Sequence, residues 1–379
     1  MAATVLATES APPLADDCPD DVGEQTGWIG DARMVMRRSD RDFFQVSPLA
    51  FWTHSLFSVA CAYAAAGIYL SSQVLWVKAL AFPIAVFWLY RAGSFVHEVA
   101  HLSHKELRIF KVVWNIVVGV PTLTPSTFFT KHHRDHHSQR MYGSPEDPEY
   151  VVNCCEPGRW ISLMKYFGHI AIFPLFVFAR FFFAPLSFVH PKVRTWVLRN
   201  ASSFTFNSSY RRDISNMDHR AFIPLELLCW LRASMIPLGV LLGVTHWTRM
   251  PQLYLLGFTV LLINQMRQLA DHHFESDGSM PDFEAHVVDS CNFTSGDPLT
   301  RLFFPFAIRY HALHHLFPSL PYHNLAAAHE YLLQELPADS PYRKLDQGNW
   351  WSVARQTLKM RADEPNSAAS PAMSHLKTD

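Results

Sequence analysis

Charge is what this chain has little of: Asp, Glu, Lys and Arg make up 17% of its residues, against roughly 25% in an ordinary soluble domain. Acids and bases nearly cancel, to a formal net charge of -1, which excludes a nucleic-acid role resting on bulk positive charge. Cysteine is scarce as well. The six cysteines (Cys18, Cys61, Cys154, Cys155, Cys229, Cys291) form no C-x-x-C motif, and two fall in apolar runs. That argues against a zinc ribbon or a disulfide framework and predicts reduced thiols facing the cytosol. No Gly-rich dinucleotide fingerprint follows a strand, no fused haem domain is visible, and the N-terminal thirty or so residues lack the basic-then-apolar pattern of a signal peptide.

What fills the sequence instead is apolar surface, 49% of residues with 29 Phe, gathered into runs. Leu49 to Leu70 has about the length of a bilayer-crossing helix, and Val74 to Phe95 follows it after a Ser-Ser-Gln turn, so the two predict a helical hairpin. Leu225 to Val244 and Leu253 to Met266 predict a second hairpin around a short link from His246 to Pro251. The run from Phe110 to Phe129, interrupted by Gly119, Pro121 and Pro125, is expected to be in-plane or re-entrant. Leu163 to Phe188, broken by His169, Pro174, Arg180 and Pro185, is expected not to cross, or to form a tight re-entrant hairpin. Arg33, Arg37, Arg38 and Arg41 before the first span, and the basic stretch from Lys192 to Arg220, place those segments on the cytoplasmic side. The expectation is an all-α, multi-pass integral membrane protein: four crossings in two hairpins, a cytosolic helical cap over residues within 31–356, and disordered tails at 1–30 and 357–379.

The other surplus is histidine, in three clusters: His97-Glu98-Val99-Ala100-His101, Lys131-His132-His133-Arg134-Asp135-His136-His137 and His311-Ala312-Leu313-His314-His315. Positions i, i+3 and i+4 share one helix face, so each cluster can aim its imidazoles at a single point. Packing has no use for so many ionisable rings. Neutral imidazole suits iron, zinc, copper and nickel. Eight histidines with one more, His272 or His273, would serve two ions at four or five ligands each. Glu98, Asp135, Asp147 and Asp271 are candidates to orient the rings, and His104, His132, His323 and His329 flank the clusters.

H-x-x-x-H at His97 and His101, H-x-x-H-H at His133, His136 and His137, and H-x-x-H-H at His311, His314 and His315 resemble the three histidine boxes of the membrane fatty-acid desaturase and hydroxylase superfamily. The likeness covers roughly Phe51 to Leu332, and the segments Tyr142 to Tyr150 and His315 to Leu325 are similar to its bacterial acyl-lipid members. The resemblance implies an oxygen-dependent di-iron enzyme with iron ligands at His97, His101, His133, His136, His137, His311, His314 and His315. It carries the extra ligand onto His272, with His273 as fallback; Asn264 matches the family pattern too loosely to be included. It further implies desaturation of a fatty acyl lipid on the cytoplasmic side of the bilayer, with electrons from a ferredoxin-like or small haem donor. Acyl-chain hydroxylation, or carotenoid hydroxylation or ketolation, is the nearest alternative. Rivals from other classes are a membrane zinc metalloprotease, because His97 to His101 reads H-E-x-x-H, and a metal or haem carrier. The first leaves two clusters unused, and the second does not explain their helical spacing.

Overall fold

Ser47 and Pro48 open the first long helix in the manner expected of a start signal: the Ser47 side chain accepts a hydrogen bond from the Ala50 amide, and proline occupies the first turn. In the computed structural model, which describes residues 27–151, 159–215, 217, 219–276 and 282–363, the chain is helical. Only isolated β-bridges occur among the described residues. The tails expected at 1–30 and 357–379 lie largely outside the described residues. Where they are described they are helical: Trp28 and Ile29 begin α1 (Trp28–Arg38) and are buried, and the last helix runs to Asp363.

Helices α2 (Pro48–Ser71) and α3 (Leu75–His101) are joined by a three-residue turn and pack along their length. Their seam is made of small residues, Ala62, Ala65, Ala66, Ala81 and Ala85, all buried, the composition that lets helix backbones approach closely without a hydrophobic driving force. The outer faces carry exposed Leu56, Phe57, Ile68, Leu80 and Ile84. Next comes a bent pair. Arg108–Thr122 (α4, containing a π-turn over Asn115–Gly119) meets Ser126–His137 (α5) at 77°. Asn115, buried in the π-turn, bonds across the bend to Ser126 through both amide atoms at 2.8 Å, which fixes the angle. A broken segment was expected here.

Among the described residues four helices are long and apolar enough to cross a membrane, or five if the bent α4–α5 pair is one span: α2, α3, residues 164–182 of α6 (Arg159–Phe182), and residues 222–241 of α8 (His219–Leu241). The number matches the sequence expectation, but the set differs. Helix α9 (Arg249–Gln268) is continuous for 20 residues yet fails on composition, because Gln252, Asn264, Gln265, Arg267 and Gln268 dilute its apolar side chains. Helix α6, expected to be broken, runs through Pro174 without interruption.

Contacts show where each helix ends. Arg249, at the start of α9, donates to the Leu70 carbonyl at the α2–α3 turn. Phe222, near the start of α8, packs its ring tilted at 5.5 Å from that of Phe128, beside the second histidine cluster. So α8 leaves the cluster end of the bundle and α9 returns to it. Both ends of α6 also touch the cluster end, through Tyr166 with Gln265 and through Phe181 with Phe128. The short α7 (Pro191–Asn200) follows α6 and precedes α8. Beyond α9 lie α10 (Phe283–Asp289), α11 (Pro298–Phe303), α12 (His311–Leu316), α13 (Tyr322–Glu335) and α14 (Trp350–Asp363). Asp282 and Asp297 cap α10 and α11 by accepting from Ala285 and Thr300 amides. An aromatic core of Phe51, Phe95, Phe110, Phe306 and Tyr322, with ring centroids 4.3 to 6.2 Å apart, ties α2, α3 and α4 to the α12–α13 region.

Candidate metal centre

The three clusters do not each make a nest of their own; the second and third are divided. His97 and His101 from α3, His133 and His137 from α5, and His314 from α12 form one group, and His136, His272, His311 and His315 form another. Within each group all ligand atoms lie within 4.8 Å of one another. Helical geometry explains the split: His133 and His137, or His311 and His315, are four apart and face one way, while the third histidine of the box faces the neighbouring group. The groups adjoin, with the His137 and His315 rings stacked at 4.2 Å.

Separations inside each group suit a shared ion. His101 and His133 bring Nε2 atoms to 2.8 Å, His137 and His314 to 3.2 Å, His136 and His272 to 3.2 Å, His272 and His311 to 3.1 Å, and His311 and His315 to 3.0 Å. Two nitrogens bound about 2.1 Å from one metal at right angles are about 3.0 Å apart. The tautomers agree. His136 Nδ1 faces the Asp147 carboxylate at 2.9 and 3.1 Å, so Nδ1 carries a proton. Against burial, Asp147, Glu149 and Asp271 hold the pKa of the metal-free ring up at about 8, and Nε2 presents a lone pair once a metal displaces its second proton. His272 Nδ1 faces the Tyr142 hydroxyl at 2.8 Å, and that hydroxyl donates to Asp289 at 2.5 Å. Tyr142 can therefore only accept from His272, and His272 Nε2 also presents a lone pair. Two nitrogens 3.2 Å apart need a cation between them, a proton on His136 Nε2 in the metal-free protein or a metal ion in its place. In the first group, His133 Nδ1 bonds Glu149 at 2.7 Å, His97 Nδ1 bonds Glu98 at 3.0 Å, and His97 Nε2 is buried with no hydrogen-bond partner. The donor set thus fits two metal ions bound by imidazole.

Burial, reinforced by neighbouring imidazoles, holds His272, His311, His314 and His315 well below the usual imidazole range. They are therefore neutral, as ligands must be.

Of the four carboxylates expected to orient rings, Glu98 and Asp147 do so. Asp135 instead pairs with Lys131 and accepts from Tyr210 at 2.7 Å, and Asp271 pairs with Arg267 at 2.7 Å. His273 stands outside both groups, against Cys291. Among the flanking histidines, His104 is exposed, His323 accepts from the Ser47 amide, His329 bonds Tyr342, and His132 holds the Phe128 carbonyl. Four orienting residues escaped the sequence reading: Glu149, Tyr142, Asp289 and His286. His286 Nε2 lies 2.7 Å from His315 Nδ1, and its ring stacks on Tyr142 at 3.6 Å. Glu149 and Tyr142 lie within the Tyr142 to Tyr150 segment that follows box two. His286 and Asp289 sit on α10 in a polar stretch without other histidines nearby in sequence, and only their i, i+3 spacing hinted at a shared face.

The loop after box two is built to hold Asp147. Its carboxylate accepts from the Gly143 and Glu149 amides at 2.8 and 2.9 Å, and Asn207 bonds the Asp147 and Pro145 carbonyls. A cavity of about 820 Å³ abuts this loop at Phe129, His132, Pro148 and Glu149 and extends between the helices to Leu70, Met250 and Pro251. Met250 to Gln265 along α9 spans about 22 Å, so the chamber runs from beside the first histidine group to the far end of the bundle.

The fatty acid desaturase family pattern matches residues 40–346. A ceramide hydroxylase of Caulobacter vibrioides is 35% identical over 264 residues, covering 68% of this chain and 73% of that protein.

Proposed function

Because this chain belongs to the fatty acid desaturase family, we propose that it is a membrane oxidoreductase that uses molecular oxygen and two irons to oxidise an unactivated C–H bond of a lipid acyl chain. The observation that carries this reading is the pair of adjoining imidazole groups, five and four strong, beside one end of a long membrane-depth cavity. The sequence favoured desaturation. The similarity to a ceramide hydroxylase moves the first choice to hydroxylation of an acyl lipid, with desaturation as the second reading. Both consume one oxygen molecule, two electrons and two protons. Hydroxylation places one oxygen atom in the product and one in water, and desaturation places both in water. The electrons come from a separate protein, for which a ferredoxin-like or small haem donor is our proposal.

Two irons held by the nine histidines would supply oxygen activation. The protein's part is to aim the nitrogens: Glu98, Asp147 and Glu149 fix the tautomers of His97, His136 and His133, and Tyr142 and His286 do the same for His272 and His315. The cavity keeps the acyl chain away from bulk water. We further propose that α2, α3, α8 and α9 cross the bilayer, that α6 stays on the cluster side, and that this side is cytoplasmic. The contact of Arg249 with Leu70 and the double contact of α6 support that arrangement, as do the arginines before α2. Residues 31–356 would then form one membrane unit.

Expression in a host of known lipid composition, followed by mass spectrometry of intact lipids and pigments, tests the reaction. Hydroxylated acyl lipids are the expected product. New double bonds would select the second reading, altered carotenoids would redirect the substrate, and one zinc per chain with peptide cleavage would overturn the proposal.

A further inference from the structure

Arg232 stands where a cation is hardest to keep. It lies ten residues after Phe222 and nine before Leu241, the midpoint of a span long and apolar enough to cross the membrane, and so about 15 Å from either end. It is on the cavity face of α8 with Ala233, Ile236 and Pro237, while the lipid-facing side carries exposed Leu231, Met235 and Leu238. No carboxylate pairs with it and no hydrogen bond or aromatic face engages it among the described residues. The other arginines of this region are satisfied: Arg180 and Arg194 share buried Glu226, and Arg249 bonds Leu70. Tyr63 is the polar wall residue that senses Arg232, and the same cavity wall also carries Thr122 and Thr124. Their hydroxyls are already engaged, Tyr63 with the Val117 carbonyl and the two threonines with each other, so none of them neutralises a charge. An ionisable residue at membrane depth that faces a cavity and lacks a protein partner calls for a partner from outside the protein.

The geometry points to an anion-binding position at Arg232, inside the cavity, that takes the carboxylate or phosphate head of a single-chain lipid. A guanidinium presents a planar fork that matches both groups, which a neutral hydroxyl or amide head does not exploit. With the head fixed there, the chain is directed along the chamber, and the distance from Arg232 to Phe129 and Glu149 at the histidine end selects which carbon lies by the metal groups. The inference rests on the cavity being the substrate chamber, but it concerns binding and is tested without turnover.

The test is competition binding on the full-length protein in a neutral detergent, with hexadecanoate, hexadecyl phosphate, hexadecanol and an N-hexadecanoyl ceramide as probes. At least one of the two anionic probes should bind the wild type about tenfold or more tighter than hexadecanol and the ceramide. Arg232→Met should bring all four together, and Arg232→Lys should keep most of the preference. Which anion wins distinguishes carboxylate from phosphate. Equal binding of charged and neutral probes to the wild type, binding of neither anion, or a preference that survives Arg232→Met would overturn the proposal. The wild-type comparison stands even if a variant fails to fold. A failure here alongside hydroxylated products in the lipid analysis would leave the reaction intact and remove only this site.

Discussion

Tyr142 does two jobs at the level of a single side chain. Its hydroxyl fixes the His272 tautomer and passes the hydrogen bond to Asp289, and its ring supports His286 behind His315. Tyr142→Phe keeps the ring and removes only the hydroxyl. Iron affinity at the second histidine group is expected to fall by about 10- to 100-fold while the melting temperature of the metal-free protein changes little. Iron content after titration with a competing chelator reads the first quantity, and unchanged retention of iron would refute the role assigned to the hydroxyl. The eight box imidazoles were legible from sequence because helical periodicity groups them, whereas His272 came from the family resemblance, with His273 as its alternative. Their supports were only half legible, since a carboxylate next to a histidine in sequence need not face it. Asp271 adjoins His272 but turns to Arg267, whereas Glu149, sixteen residues from His133, reaches its ring.

Gly143 matters at the scale of the loop and helices. It has φ +66, and a Cβ there would lie 2.7 Å from Ser276 side-chain atoms. The same residue donates its amide to Asp147. Gly143→Ala should therefore cost about 1 to 3 kcal/mol from the backbone alone and pull Asp147 off His136. Thermal unfolding together with iron stoichiometry would reveal both effects, and a variant with wild-type values in each would show that the loop tolerates the side chain. The hairpin of α2 and α3 was plain from two long apolar runs, the second broken only by Lys78, Pro83 and Arg91. The run from Leu253 to Met266 stops short of α9 (Arg249–Gln268) because Arg249, Arg267 and Gln268 flank it, yet Gln265 and Arg267 are buried against partners, Tyr166 and Asp271. Helix α6 looked broken because Pro174 sits in its middle, a residue that a helix packed against neighbours can accommodate.

Sidedness and proton uptake are properties of the whole molecule. Gln73, in the α2–α3 turn, and His104, just past box one, are both exposed and lie at opposite ends of α3. Cysteines introduced at Gln73 and His104 should be modified by an impermeant maleimide from opposite faces of sealed vesicles, His104→Cys from the cytoplasmic one. Labelling of both from one side would dismantle the proposed topology. Acid should destabilise the metal-free protein. His272, His311, His314 and His315 are held below the ordinary imidazole value in the folded state, so the unfolded chain binds more protons below about pH 6.5. The stability they contribute is present above that pH and lost as the pH falls below it. Melting temperatures of the chelated protein between about pH 7.5 and 5.5 would register this, and a curve flat across that window would contradict it.

The division of the histidines between two groups bears on how the protein is made. By the time the chain has been synthesised past residue 137, it carries His97, His101, His133 and His137, four of the five nitrogens of one group, but only His136 of the other. The remaining three, His272, His311 and His315, follow α8 and α9 in the chain. A chain truncated in the second hairpin would therefore present four of the five donors of one group and one of the four of the other, enough for at most the first of the two ions proposed above.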